Sequence, residues 1–182
     1  MEYTDIELIS LFREEDKRNY AFNLIVRKYQ ERLYWHIRKL VIAHNDSDDI
    51  LQNTFMKAWI GLDNFREESQ LFTWLYRIAT NEALTFLNQK KKRFFFSFND
   101  VEKYLSTTLE SDPYFSGDEL QLKLQKAVLS LPEKQRLVFN MKYYEEMKYE
   151  DIAAIVNTSV GALKASYHHA VKKIEKYFEE TN

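Results

Sequence analysis

Lys164, His168 and Lys172 recur every four residues near the end of this chain, so a helix would set them in a row along one face. A row of potential cations suits the phosphates of a DNA duplex. The surrounding residues 149–178 read YEDIAAIVNTSVGALKASYHHAVKKIEKYF. Ile152, Ile155 and Val156 fall at i, i+3, i+4 spacing, the buried stripe of a short helix, and Asn157, Thr158 and Ser159 break it. Ser159 suits the N-cap of a second helix, because its hydroxyl can accept a free backbone N–H. Val160, Leu163, Tyr167, Ile174 and Phe178 then share an apolar face, away from the cations. Two helices joined by a short turn, with cations outward on the second, fit insertion into a major groove. Gly161 would let the backbone approach a phosphate at that helix N-terminus. The same pattern also fits a packed helical hairpin whose lysines are only solvated.

A second group lies upstream. The loop DNFREESQ, residues 63–70, precedes Phe72, Thr73, Trp74, Tyr76 and Arg77, and the same segment ends in Lys90, Lys91, Lys92 and Arg93. Aromatic rings among cations suit single-stranded nucleic acid, since bases stack while cations follow phosphates. Aromatic clusters at helical spacing also build cores. Before the loop, Ile50, Leu51, Phe55, Ala58 and Trp59 share one face, leaving Asp48, Asp49, Gln52, Asn53 and Lys57 outward.

Catalytic chemistry finds little support. The run Asn45-Asp46-Ser47-Asp48-Asp49 lacks the glycine and distal glutamate of a calcium loop, and acids at a helix N-terminus explain it better. His36, His44, His168 and His169 show no metal-ligand spacing, and the adjacent pair points about 100° apart on a helix. No glycine-rich phosphate loop or nucleophile elbow occurs. Glu145 and Glu146 read as solvent charges in a corner between helices. No catalytic residue, metal or cofactor is expected.

The elements that must position these groups are helices. Three Gly and two Pro in 182 residues, with long helical periodicities, indicate an all-α protein. Helices are expected at residues 4–12, 17–42, 47–61 and 73–91. The absence of cysteine excludes disulfides and suits a reducing compartment. The acidic start MEYTDIELISLFREED resembles no signal peptide, and no run approaches the roughly 18 apolar residues of a membrane helix. A cytoplasmic protein without membrane insertion is expected. Net charge is only −2, but it is unevenly spread. Residues 77–93 are basic, residues 94–119 acidic, and residues 160–177 basic again. Residues 94–117 hold many Ser, Thr, Asn, Pro and Gly without sustained period and read as an irregular tether. Phe94, Phe95, Phe96 and Phe98 are very apolar for it and are expected to extend the first core. Two helical domains follow, 1–93 and 118–182, joined by a flexible acidic linker.

Taken together, an aspartate pair before a Q-x-x-F helix, an F-R-x-x-S loop, T-W-L-Y-R-I-A-x-N, L-P-x-x-x-R and a terminal helix-turn-helix resemble the extracytoplasmic-function (ECF) sigma factors of RNA polymerase. The resemblance runs from about residue 20 to 177. It implies a region 2 domain, a region 4 domain, and direction of polymerase to promoters. The helix bearing Asp48, Asp49, Gln52, Asn53 and Phe55 would bind the clamp helices of the largest polymerase subunit. Relatives usually carry Glu at the position of Asn53. Region 4 would meet the polymerase flap. Asn64, Phe65, Arg66, Ser69, Trp74 and Asn81 would capture a base flipped from the minus-10 element. Arg77 and Lys90, Lys91, Lys92 and Arg93 would hold nearby single-stranded backbone. Ser159, Gly161, Lys164, Ala165 and His168 would face duplex minus-35 DNA, with Lys172 on phosphate. Relatives often carry Arg where this chain has Ser166, His169 and Val171. The acidic linker would occupy the polymerase channel later used by RNA. Many relatives are restrained by an anti-sigma factor held between the two domains. A freestanding helix-turn-helix regulator, binding duplex DNA without polymerase, is the alternative from another class, and a protein-interaction scaffold a third.

Overall fold

A computed structural model of the chain describes residues 3–66, 68–93, 98–116 and 118–181, with the backbone alone at residues 93, 98–102 and 116. All regular structure among them is helical: α1 (Asp5–Arg13), α2 (Arg18–Val41), α3 (His44–Gly61), α4 (Leu71–Arg93), α5 (Phe98–Ser111), α6 (Pro113–Ser116), α7 (Glu119–Leu129), α8 (Glu133–Phe139), α9 (Tyr149–Val156) and α10 (Val160–Glu180). A 3-10 turn (Leu62–Asn64) follows α3, and a π-helical turn (Asn140–Tyr144) continues α8. The first four expected helices are present with ends shifted by up to three residues.

Local chemistry explains the starts. Thr4 caps α1 reciprocally: its hydroxyl accepts the Glu7 N–H, and its own N–H donates to the Glu7 carboxylate at 2.7 Å. Ala21, Ile25, Tyr29, Leu33 and Ile37 recur every four residues along α2 and are buried. They meet Leu8, Ile9 and Phe12 of α1, Ile50 and Ala58 of α3, and Leu75, Ala79 and Ala83 of α4. Between α2 and α3 the chain reverses at Ile42, whose φ of 66° is costly for a β-branched residue and is held by complete burial. The same apolar cluster continues without a break into Leu137, Met141, Ile152, Ile155 and Leu163 of the C-terminal unit. A smaller cluster of Ala127, Val128, Leu131, Phe139, Ala170 and Ile174 lies beneath α10.

Two expectations are corrected by this packing. Within the expected tether, residues 98–116 are not irregular, for α5 occupies Phe98–Ser111 and α6 Pro113–Ser116. Leu105 and Leu109, one turn apart on α5, and Phe115 on α6 are fully buried, a pattern that the polar residues between them disguise. Among the described side chains, Asp112 pairs with Arg38 and Glu110 with Lys126 at 2.6 Å, and Asp118, just beyond, caps α7. Phe94 to Phe96 lie outside the described residues, as does the side chain of Phe98.

Glu145 is the second correction. Its side chain is only 8% exposed, and it is not a solvent charge. The carboxylate accepts from the Tyr76 hydroxyl at 3.1 Å and from Lys39 Nζ at 3.3 Å, with Arg32 at 3.8 Å. Spacing alone could not show that the α8–α9 corner lands on α2 and α4. Glu146, with φ 51°, does face solvent.

His36 gives the core a pH dependence. It is wholly buried between α2 and α4, its Nε2 2.9 Å from Thr80 Oγ1 and its ring 4.9 Å from that of Tyr76. Burial, with a small contribution from Lys39, holds its pKa down to about 3. The unfolded chain therefore binds one proton more than the folded chain between pH ~6.5 and ~3. The contribution is fully present above that window and fades as pH falls through it. By pH 5 the cost is about 2 kcal/mol, so a non-titrating His36→Gln variant should lose that much less stability between pH 7 and 5 in urea titrations.

Candidate nucleic-acid interfaces

The loop between α3 and α4 forms a small recess. The 3-10 turn brings the chain round so that the Phe65 N–H donates to the Leu62 carbonyl at 3.2 Å. Phe65 then packs on Trp74, ring centroids 5.1 Å apart, and its carbonyl accepts from Arg13 at 2.9 Å. Asn64, Phe65, Arg66, Ser69, Trp74 and Arg77 line a cavity of about 390 Å³, together with Glu68. Six sequence-selected residues thus share one site. A recess with one aromatic wall, two guanidinium groups and several amide or hydroxyl groups can stack a flat heterocycle and pair with its edge. Phe65 serves as wall rather than projecting platform, being 6% exposed.

Arg13 is a positioning residue that sequence reasoning missed. It lies 52 residues from Phe65, and no local spacing connects them.

Asn81, one turn beyond Arg77 on α4, is exposed and does not line this recess. It faces a larger cavity, about 910 Å³, bounded on its other side by residues 154–158 and by α10. Arg77 belongs to both cavities, and its guanidinium donates to the Ala154 carbonyl at 2.6 Å.

The basic end of α4 is less free than its sequence suggests. Lys90 is not an open phosphate contact: it donates to Asp46 and the Tyr104 hydroxyl, each at 2.7 Å, and lies over the Tyr104 ring. Desolvation opposes its charge, but these hydrogen bonds outweigh it and hold the pKa above the ordinary lysine value. Lys91 donates to Glu133 at 3.0 Å. Lys92 is exposed, and the side chain of Arg93 lies outside the described residues.

The terminal motif forms as the spacing indicates. Asn157 ends α9 in the left-handed conformation, φ 52° and ψ 55°, which Asn tolerates better than most residues. The Ser159 hydroxyl accepts the Ala162 N–H at 3.3 Å and caps α10. Leu163, Ala170 and Ile174 are buried, while Ser159, Gly161, Lys164, Ala165, His168 and Lys172 all face solvent. This surface is open. A methyl group at Gly161 would meet nothing within 4 Å, and the backbone there is not left-handed, so the fold itself does not require glycine. Gly161→Ala is expected to leave thermal stability unchanged or raise it by up to about 1 kcal/mol, while weakening any binding of duplex DNA at this helix N-terminus.

On α3, Asp49, Gln52 and Asn53 are exposed, and Asp48 is half-buried, 3.4 Å from His44. Phe55 is buried, in keeping with its place on the apolar face read from the sequence. It belongs to the core, edge-on to Phe22 at 6.2 Å, because it follows the Leu51–Ala58 apolar stripe. It forms only the floor of an apolar groove whose rim carries the exposed Met56 and Ile60. Those two rim residues were not singled out from the sequence.

Among the described residues no three His, Asp or Glu side chains gather as a metal site, and no helix is long and apolar enough to cross a membrane.

Comparison with known proteins agrees with this layout. The family described as Sigma-70 region 2 matches residues 25–93, and Sigma-70, region 4 matches residues 121–174. The RNA polymerase sigma-H factor of Pseudomonas aeruginosa is 30% identical, the match covering 94% of this chain and 92% of that protein. The ECF RNA polymerase sigma-E factor of Haemophilus influenzae is 32% identical, with 94% of each chain covered. Solved structures share the fold. CnrH in complex with the cytosolic domain of CnrY gives a TM-score of 0.71 at 22% identity, over 98% of this chain and 99% of that one. The sigma factor RpoE in complex with the anti-sigma factor NepR from Bartonella quintana gives 0.69 at 23%, over 88% and 98%. With two matched regions in the order of their helical units and relatives aligned over nearly their whole length, the chain belongs to the ECF family of RNA polymerase sigma factors.

Proposed function

We propose that the chain acts on core RNA polymerase in the cytoplasm, without catalysis of its own, through two polymerase contacts and two DNA surfaces. The exposed face of α3 (Asp48, Asp49, Gln52, Asn53) with the apolar rim beside it meets the clamp helices of the largest subunit. The recess of Asn64, Phe65, Arg66, Ser69 and Trp74 takes a flipped minus-10 base, with Asn81 and Arg77 on the adjoining strand. Ser159, Gly161, Lys164, Ala165, His168 and Lys172 read the minus-35 duplex, while the C-terminal unit meets the flap. Domain limits near 93 and 118 fit the matched regions, though α5 between them is packed.

The observation that carries this reading is the recess itself. It collects six residues from the loop and α4 around one space, with walls suited to a base. A freestanding regulator has no use for it. Gel shift separates the two: the sigma factor should hold a promoter duplex tightly only with core polymerase, whereas a regulator would hold it alone. Two structural neighbours are complexes with CnrY and the anti-sigma factor NepR. On that likeness a protein inhibitor of this chain is a reasonable further partner.

A further inference from the structure

The two aromatic walls of the base recess are set from behind, by residues that do not line it. Gly61 ends α3 with φ −82°, an ordinary helical value, so the backbone there does not need glycine. The space does. A methyl group at Gly61 would stand 3.0 Å from Trp74 Cζ2 and 3.4 Å from Cη2. Having no side chain, Gly61 lets the indole lie against the end of α3, its ring centroid 5.1 Å from that of Phe65.

Two arginines fix the other wall. Arg13 of α1 donates to the Phe65 carbonyl at 2.9 Å. Arg18, the first residue of α2, pairs with Asp63, and its guanidinium lies 4.4 Å from the Phe12 ring centroid and 5.1 Å from that of Trp59. Those two rings restrict where the guanidinium can sit. Asn64, which lines the recess, stands between the two anchored residues. The loop is thus gripped on both sides of Asn64, by residues 45 and 52 positions earlier in the chain.

One base is told from another by polar groups held at fixed places, and a loop free to shift would accommodate several. We infer that Gly61, Arg18 and Arg13 are positioning residues that touch no DNA yet determine how sharply the recess distinguishes one base from the others. They set Phe65, Trp74 and Asn64 in place before the strand arrives, so capture need not order the loop. The inference rests on the assignment of this recess to a minus-10 base.

For the test, the protein assembled with core RNA polymerase is offered a pool of single-stranded DNA carrying about six consecutive randomised bases, and the retained strands are sequenced. The parent should enrich one base strongly at one position. Arg18→Ala, Asp63→Ala and Gly61→Ala should each lower that enrichment on the order of fivefold, with total retention changed less than about twofold. These variants should fold, since a partly exposed ion pair contributes little to stability and alanine favours a helix over glycine. The Arg18→Ala, Asp63→Ala double variant should be no worse than either single one, because each residue acts through the other. Lys126→Ala, which breaks a pair of similar exposure between α7 and α5, should keep the parental enrichment. In the free protein labelled with 5-fluorotryptophan, the three indoles report separately. Gly61→Ala should move the fluorine resonance of Trp74 and leave that of Trp35, which packs on Tyr114. Parental enrichment in Arg18→Ala and Gly61→Ala would overturn the inference. So would an unmoved Trp74 resonance, or a fall in total retention at unchanged enrichment, the mark of a merely structural role. No enriched base at any position in the parent would instead strike the functional reading.

Discussion

Asn81→Ala is expected to lower promoter-directed initiation by core polymerase roughly a hundredfold, at nearly unchanged stability. Extruding a base costs a few kcal/mol, and the recess and its neighbouring polar groups must offset that cost. Loss of about 3 kcal/mol from strand capture corresponds to about a hundredfold in rate. Asn81 is exposed, so truncation removes no core packing. The melting temperature should stay within about 2 °C. Abortive-initiation rates on a fixed promoter, with thermal melts alongside, check both halves. An unchanged rate would remove Asn81 from the site and leave strand capture to the recess around Phe65 and Trp74 with Arg77.

Phe12→Ala should have the largest effect on stability, about 3–5 kcal/mol, or roughly 10 °C in melting temperature. The ring is wholly buried, edge-on to Trp59 at 5.2 Å and 6.0 Å from Phe22, with the Arg18 guanidinium over its face. The consequence reaches function. Phe12 anchors α1, and Arg13 beside it holds the Phe65 carbonyl. A loosened α1 should release the base-capture loop before the protein unfolds globally. Hydrogen exchange should show faster exchange at the Phe65 amide in Phe12→Ala than in a variant of equal stability altered under α10, such as Ile174→Ala. Equal exchange in both would separate α1 from the loop.

Short-range patterns were legible in the sequence, and contacts across the molecule were not. The Ile152–Val156 stripe, the Ser159 cap and the outward Lys164, His168 and Lys172 all depend on neighbours within four residues, and all appear as read. The same holds for the members of the recess, since the loop and the first turns of α4 are continuous in chain. Long-range partners set the rest. Glu145 looks like a corner charge until α2 and α4 are brought against it. Lys90 looks like a phosphate contact until Asp46 and Tyr104 surround it. Residues 98–111 carry enough Ser, Thr and Asp to read as loop, and only the burial of Leu105 and Leu109 against the core reveals the helix.

The central claim is that this chain gives polymerase a promoter specificity through two separate DNA surfaces. Its most direct test is transcription in vitro with core RNA polymerase from the same organism on fragmented genomic DNA, with and without the protein. The account predicts new, discrete start sites that depend on the protein, weaken sharply with Asn81→Ala and vanish on truncation before Leu131. No association with core and no new starts would contradict it, and duplex binding by the protein alone would then favour the freestanding regulator.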